Sequence, residues 1–350
     1  MVGFDGLEPP DEMRALIDDG VYGAILFKRN VDSPPQISTL IHQLKSHAGR
    51  PFVLAVDQEG GRVARLRGEP FTSLPAMREV GRARDEQLAE RVGRLLGYEL
   101  RALGFDWDFA PVLDVDTNPN NPVIGDRALH AQAAEVARLG VALGRGLEAA
   151  GVASCGKHFP GHGDTSQDSH LHLPRLPHDL KRLREVELLP FAAWAKAKLA
   201  AVMTAHVVFE ALDPGIPATM SKKAMSLLRD ELGFDGVLVS DDLEMKAIAA
   251  HFPISDAVVA GVNAGVDLFL VCHHVDVQRE AISALADAVK AGRVSEERLA
   301  QATARVDALA TRFARPAESL LARLGSAEHA ALAHGLHAGE FRGVDPTERA

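Results

Sequence analysis

The segment from Lys157 to His172 reads Lys-His-Phe-Pro-Gly-His-Gly-Asp-Thr-Ser-Gln-Asp-Ser-His-Leu-His, and five of the fifteen histidines fall between His158 and His178. Pro160, Gly161 and Gly163 make this a loop, and imidazoles and carboxylates at such density are poor packing material. Two chemistries could use them. His162, Asp164, Asp168, His170 and His172 include residue types that ligate zinc or iron, and the His-x-His pair at 170 and 172 suits a metal. Alternatively, Asp168 orients His170 as a proton donor and acceptor. The residues alone leave both open.

Further candidates close apolar runs: Asp57 after Phe-Val-Leu-Ala-Val, Asp114 and Asp116 after Ala-Pro-Val-Leu, Lys157-His158 after Ala-Ser-Cys-Gly, His206 after Val-Met-Thr-Ala, and Asp241-Asp242 after Val-Leu-Val-Ser. These runs are short and β-branched: Val2–Asp5, Tyr22–Phe27, Phe52–Asp57, Trp107–Leu113, Ala153–His158, Ala201–His206, Gly236–Asp241 and Asp267–Cys272. Stretches of helical period separate most of them, such as Gln36–Ser46, Glu86–Leu103, Ala131–Ala149, Leu180–Lys198, Lys222–Leu232 and Val275–Ala291. Strands apolar on both faces and alternating with helices belong to a parallel sheet covered by helices. Eight such units predict an α/β fold of the (β/α)8 barrel type, in which polar strand ends converge on one mouth. Ala150-Gly151 and Leu232-Gly233 read as helix C-caps. A last amphipathic helix opens at Ser295-Glu-Glu and runs to about Phe313. The expected organisation is a catalytic barrel over 1–313 and a tail over 314–350, with one short helix and a frayed end.

Composition narrows the function. The 350 residues are 47% hydrophobic and 25% charged, ordinary for a globular chain with a sizeable core. Lys and Arg number 38 against 48 Asp and Glu, a net charge of −10 that works against binding a phosphate backbone, so no nucleic-acid partner is expected. Cys155 and Cys272 stand far apart in apolar runs, which excludes a disulfide framework or CxxC module and fits a reducing compartment. With no long apolar stretch and no basic, apolar leader at the start, a cytoplasmic protein without a membrane span is expected.

Lys157-His-Phe-Pro-Gly-His-Gly-Asp164-Thr-x-x-Asp168-Ser-His170 resembles the signature of family 3 glycoside hydrolases, in the β-N-acetylhexosaminidase branch. Three other blocks match in order: Val56-Asp57-Gln-Glu-Gly-Gly-Arg-Val-Ala-Arg65, Ile124-Gly125-Asp-Arg127 and Ser240-Asp241-Asp242-Leu-Glu-Met245. The resemblance spans roughly residues 2 to 310. It implies Asp241 as nucleophile, His170 as acid/base and Asp168 as the partner of His170. Asp57, Arg65, Arg127, Lys157 and His158 would hold the hydroxyls of a terminal N-acetylglucosamine, with His206 lining the same pocket. Asp242, adjacent to the nucleophile, is expected to face away, because neighbours on a strand point oppositely. One departure is Ala-Leu-His after Arg127, where the family places an aromatic residue. The implied activity is a retaining exo-β-N-acetylglucosaminidase without cofactor or metal, acting on N-acetylglucosamine-containing saccharides or muropeptides in cell-wall recycling. The alternatives are a phosphorylase, in which phosphate resolves the same intermediate, and a zinc-dependent hydrolase built on His162, Asp164, His170 and His172.

Overall fold

A computed structural model describes residues 1–316 and 320–336 of the chain. Seven of the eight expected runs form parallel strands: β1 (Gly23–Leu26), β2 (Val53–Val56), β5 (Trp107–Asp108), β6 (Cys155–Phe159), β8 (Ala201–Thr204), β10 (Val237–Asp242) and β11 (Leu268–Leu270). They assemble into two sheets, β1-β2-β5 and β6-β8-β10-β11. Parallel bridges link these sheets at both ends. Trp107 pairs with Ala153 and Val112 with Lys157 on one side, while Val2 pairs with both Ala24 and Val271 on the other. The first expected strand, Val2–Asp5, is thus reduced to a bridge at Val2, and the result is an α/β fold of the TIM-barrel-like kind.

Strand alternation sets the layers. Ile25, Ala55, Trp107, Cys155, Met203, Val239 and Leu270 meet in one interior cluster. The residues between them, such as Ala24, Leu26, Leu54 and Val56, face the helices. The surrounding helices are α1 (Asp11–Asp18), α2 (Pro34–Ala48), α3 (Met77–Ala83), α4 (Glu86–Leu103), α5 (Ala133–Ala149), α6 (Leu180–Glu185), α7 (Leu188–Lys196), α8 (Lys222–Ser226), α9 (Lys246–Ala249), α10 (Ile254–Ala264) and α11 (Val275–Lys290). α12 (Glu296–Phe313) starts where the Ser295 side chain accepts from the Arg298 amide, and it packs Val306, Leu309, Ala310 and Phe313 onto the interior cluster.

Two expected helices are interrupted. Leu180–Lys198 breaks between α6 and α7 because Pro190 has no N–H and its ring crowds the carbonyl four residues back, at Val186. Lys222–Leu232 ends as a wider turn over Leu227–Glu231. Gly151 and Gly233 both take the positive φ expected of helix ends. Two small pairs were not foreseen: a hairpin of β3 (Gln58–Gly60) with β4 (Val63–Ala64), and β7 (Arg175–Leu176) beside β9 (Val208–Phe209). Beyond α12, Leu324 packs with Leu100 and Leu103, and α13 (Ala327–Gly335) lays Ala333 against the α4 and α5 side chains. The expected frayed end lies outside the described residues.

Candidate active site

Two buried acids and three buried cations form one wall. Asp57, just past β2, accepts from Lys157 Nζ at 2.7 Å and from Arg65 Nη2 at 3.2 Å. Glu59, on β3, lies 2.6 Å from the same Nζ and takes Arg127 Nη2 and Nε at 2.8 and 2.9 Å. Burial alone would raise the Glu59 pKa, but Arg127 and Lys157 overcome it and hold the carboxyl far below its usual range. Burial would likewise lower Lys157, but Asp57 and Glu59 hold it above an ordinary lysine. The hairpin that presents Glu59 is set by Gln58, whose Oε1 accepts from the Arg65 and Leu66 amides at 2.8 and 3.1 Å. Sequence reasoning quoted Glu59 within a motif without assigning it a role; the signal was an acid two residues from a strand-end acid.

Asp241 and Asp242 close β10. Burial pushes the Asp241 pKa up, but His158, His206 and His170 around it, with the Asp242 amide at 2.9 Å, bring it below the ordinary value, so the carboxylate is ionised. His158 is oriented from behind by Asp114, whose Oδ2 takes Nδ1 at 2.7 Å. Asp242 does not face away as expected. It borders the same cavity as Asp241, while its Oδ1 accepts from the Glu244 and Cys272 amides, both at 3.2 Å. His206 stands behind the cavity rather than on its wall: Nδ1 pairs with Thr219 Oγ1 at 2.8 Å and Nε2 with the Asp242 carbonyl at 2.9 Å. Asp116 pairs with Arg78 away from the cavity.

The loop after β6 returns to this cavity. Gly163 must be glycine, because a Cβ there would come within 1.8 Å of the Val115 carbonyl oxygen. Asn121 fixes the first half of the loop, donating to the His162 and Gly163 carbonyls at 2.8 and 3.1 Å. The second half carries the dyad: Asp168 Oδ1 takes both the backbone N–H of His170, at 2.9 Å, and its Nδ1–H, at 2.8 Å. One cavity is bordered by Asp241, His170, His158, Lys157, Arg127 and Asp57. Arg65 does not border it, but pairs with Asp57, which does.

The four residues of the zinc alternative do not converge. His162 is held by Ser169 Oγ at 2.9 Å and Thr165 Oγ1 at 2.8 Å, Asp164 lies 2.7 Å from His178, and His172 is exposed. Among the described residues no group of three or more His, Cys, Asp or Glu is placed to hold a metal ion.

The family model described as the glycosyl hydrolase family 3 N terminal domain matches residues 2–309. A beta-hexosaminidase A from Pseudoalteromonas piscicida is 39% identical over 351 residues, covering 92% of this chain and 59% of its own. Among solved structures, a family 3 beta-N-acetylglucosaminidase from Paenibacillus sp. str. FPU-7 aligns with a TM-score of 0.92 and 44% identity, over 96% of this chain and 66% of that one. NagZ from Neisseria gonorrhoeae, in complex with N-trifluoroacetyl-D-glucosamine, aligns with a TM-score of 0.81 and 35% identity, over 96% and 97% of the two chains. The chain therefore spans about three fifths of the first of these proteins, just under two thirds of the second and nearly all of the third.

Proposed function

The chain belongs to glycosyl hydrolase family 3, and on that premise we propose that it is a retaining exo-β-N-acetylglucosaminidase carried on a single closed (β/α)8 barrel over 1–313, with the remainder a tail. The two linked sheets support the closed barrel.

The observation that carries the reading is that Asp241 and His170 border one cavity, although they arrive from separate strands. The terminal sugar sits against Asp57, Lys157, Arg127 and His158, whose polar groups suit its hydroxyls, and Arg65 pairs with Asp57. An ionised Asp241 oxygen attacks the anomeric carbon as the bond to the leaving oxygen breaks. Asp168 occupies His170 Nδ1, so the proton comes from Nε2, and the same carboxylate stabilises the imidazolium that delivers it. In the second step neutral His170 takes a proton from water, which attacks the same carbon and frees Asp241. Imidazole in place of a second carboxylic acid makes this an exception to the two-carboxylate rule. His206 supports the nucleophile from behind through the Asp242 carbonyl.

The similarity to beta-hexosaminidases and to a NagZ bound to an N-acyl glucosamine supports an N-acetylglucosamine-bearing substrate, and muropeptides in cell-wall recycling are the natural source. A cytoplasmic site fits two buried free thiols, and among the described residues no helix is long and apolar enough to cross a membrane.

The test is trapping with a fluorinated N-acetylglucosaminyl donor and mass spectrometry of the labelled peptide. The label is expected on the peptide containing Asp241. Attachment elsewhere overturns the assignment of the nucleophile, and hydrolysis with inversion overturns the retaining reading.

A further inference from the structure

His162 takes no part in the steps above, yet it is buried on the cavity wall together with Ser169, the residue between Asp168 and His170. Its main chain is pinned to the barrel. The His162 amide donates to Asp114 Oδ1 at 2.6 Å, and its carbonyl accepts from Asn121 Nδ2 at 2.8 Å. Its ring is engaged at both nitrogens: Nδ1 lies 2.8 Å from Thr165 Oγ1, and Nε2 lies 2.9 Å from Ser169 Oγ. A neutral imidazole donates from one nitrogen and accepts at the other, and a hydroxyl can answer either way, so both bonds form in either tautomer. Ser169 is held from a second side as well. Its carbonyl accepts from the Ala247 amide at 3.3 Å, and Ala247 lies on α9, in the connection that follows Asp241 and Asp242.

Asp114 is the common reference for both sides of the reaction. Its Oδ1 holds the His162 amide, and its Oδ2 holds Nδ1 of His158, one of the histidines around Asp241. The bond from Asp168 orients the His170 ring within the loop, whereas the bond from His162 to Ser169 ties that loop to the barrel. We propose that His162 is a positioning residue for proton transfer: through Ser169 it sets the place of His170 opposite Asp241. This rests on the glycosidase reading above. The geometry matters because a misplacement of about 1 Å can cost on the order of 10²-fold in rate. His170 is the residue next to Ser169, so a loop released at Ser169 carries the proton donor with it.

The experiment compares kcat/KM for N,N′-diacetylchitobiose, whose leaving sugar needs a proton, with that for 2,4-dinitrophenyl N-acetyl-β-glucosaminide, whose leaving group departs with little help. Both carry the same terminal sugar, so a weaker grip on that sugar cancels in the ratio. Ser169→Ala removes the hydroxyl and is expected to lower the chitobiose-to-aryl ratio about tenfold. His162→Asn keeps an amide near Thr165 but does not reach Ser169, and a similar loss is expected. In the double variant the loss stays near that of either single one, because both changes break the same bond. A ratio within twofold of the parent's in Ser169→Ala overturns the proposal. Losses that multiply in the double variant make the two residues independent and overturn it as well. An unmutated protein that cleaves neither substrate overturns the glycosidase reading itself, and the positioning role with it.

Discussion

Glu59 and Arg127, 68 positions apart, form a two-point ion pair at 2.8 and 2.9 Å with both side chains almost wholly buried. Lys157 Nζ joins the same carboxylate from β6. Glu59 is thus the counter-charge that allows two cations to line a dry wall. Removing it takes the two-point carboxylate from Arg127 and one of two nearby acids from Lys157. Glu59→Ala is expected to cost about 3–5 kcal/mol of stability, read from urea unfolding, and Glu59→Gln to raise KM more than it lowers kcat. Unchanged unfolding of the alanine variant would contradict the role of Glu59 as the shared counter-ion.

Asp241→Asn removes the attacking charge while keeping the shape. Its kcat is expected to fall by about 10⁴-fold or more, with the fold intact by circular dichroism. A residual rate within tenfold of the parent would move the nucleophile elsewhere.

Asp168→Asn keeps a hydrogen-bond acceptor for His170 Nδ1 but loses the charge that stabilises the imidazolium. A loss of about 10²–10⁴-fold is expected for a saccharide leaving group. A dinitrophenyl glycoside, which needs little protonation to depart, should lose less in its bond-cleaving step. Equal losses on the two substrates, in single-turnover measurements, would argue against His170 as the proton donor.

His162 faces His158, Asp114 and Arg127, and its nitrogens are taken by Ser169 and Thr165. Burial, with smaller help from the charge on His158, lowers its pKa to about 4 from 6.5. Between these values the unfolded chain binds the proton that the folded chain refuses, so stability is full above about 6.5 and declines as pH falls toward 4. From pH 6.5 to 5 the loss due to His162 is on the order of 2 kcal/mol. His162→Asn should remove that slope, measured by urea midpoints at the two pH values. His206, also lowered by burial, leaves a slope of the same sign in the variant. Glu59 and Asp114, whose folded pKa values are depressed, are stabilising above their unfolded values and lose that stability only at more acid pH.

How much of this was legible in the chain depends on range. The apolar alternation of strands and helices shows in the residues themselves, because each strand buries both faces within a few positions and each helix reveals its period within three turns. The Asp168–His170 dyad is equally local, two residues on one loop, and the resemblance to the family signature implies a nucleophile and sugar-binding cations without showing them. The helix break at Val186 was written in Pro190 but masked by an apolar run on either side.

Tertiary structure alone decided the partners. Which acid meets Arg127, and that Lys157 is shared by Asp57 and Glu59, depends on which strand ends meet across some seventy to a hundred positions of chain, a relation that local pattern does not encode. The same convergence turned Asp242 toward the cavity and moved His206 behind it. Side-chain type says what a group can do. Only packing fixes what it faces, because a buried charge or proton takes its properties from neighbours that the folded chain, not the sequence order, supplies.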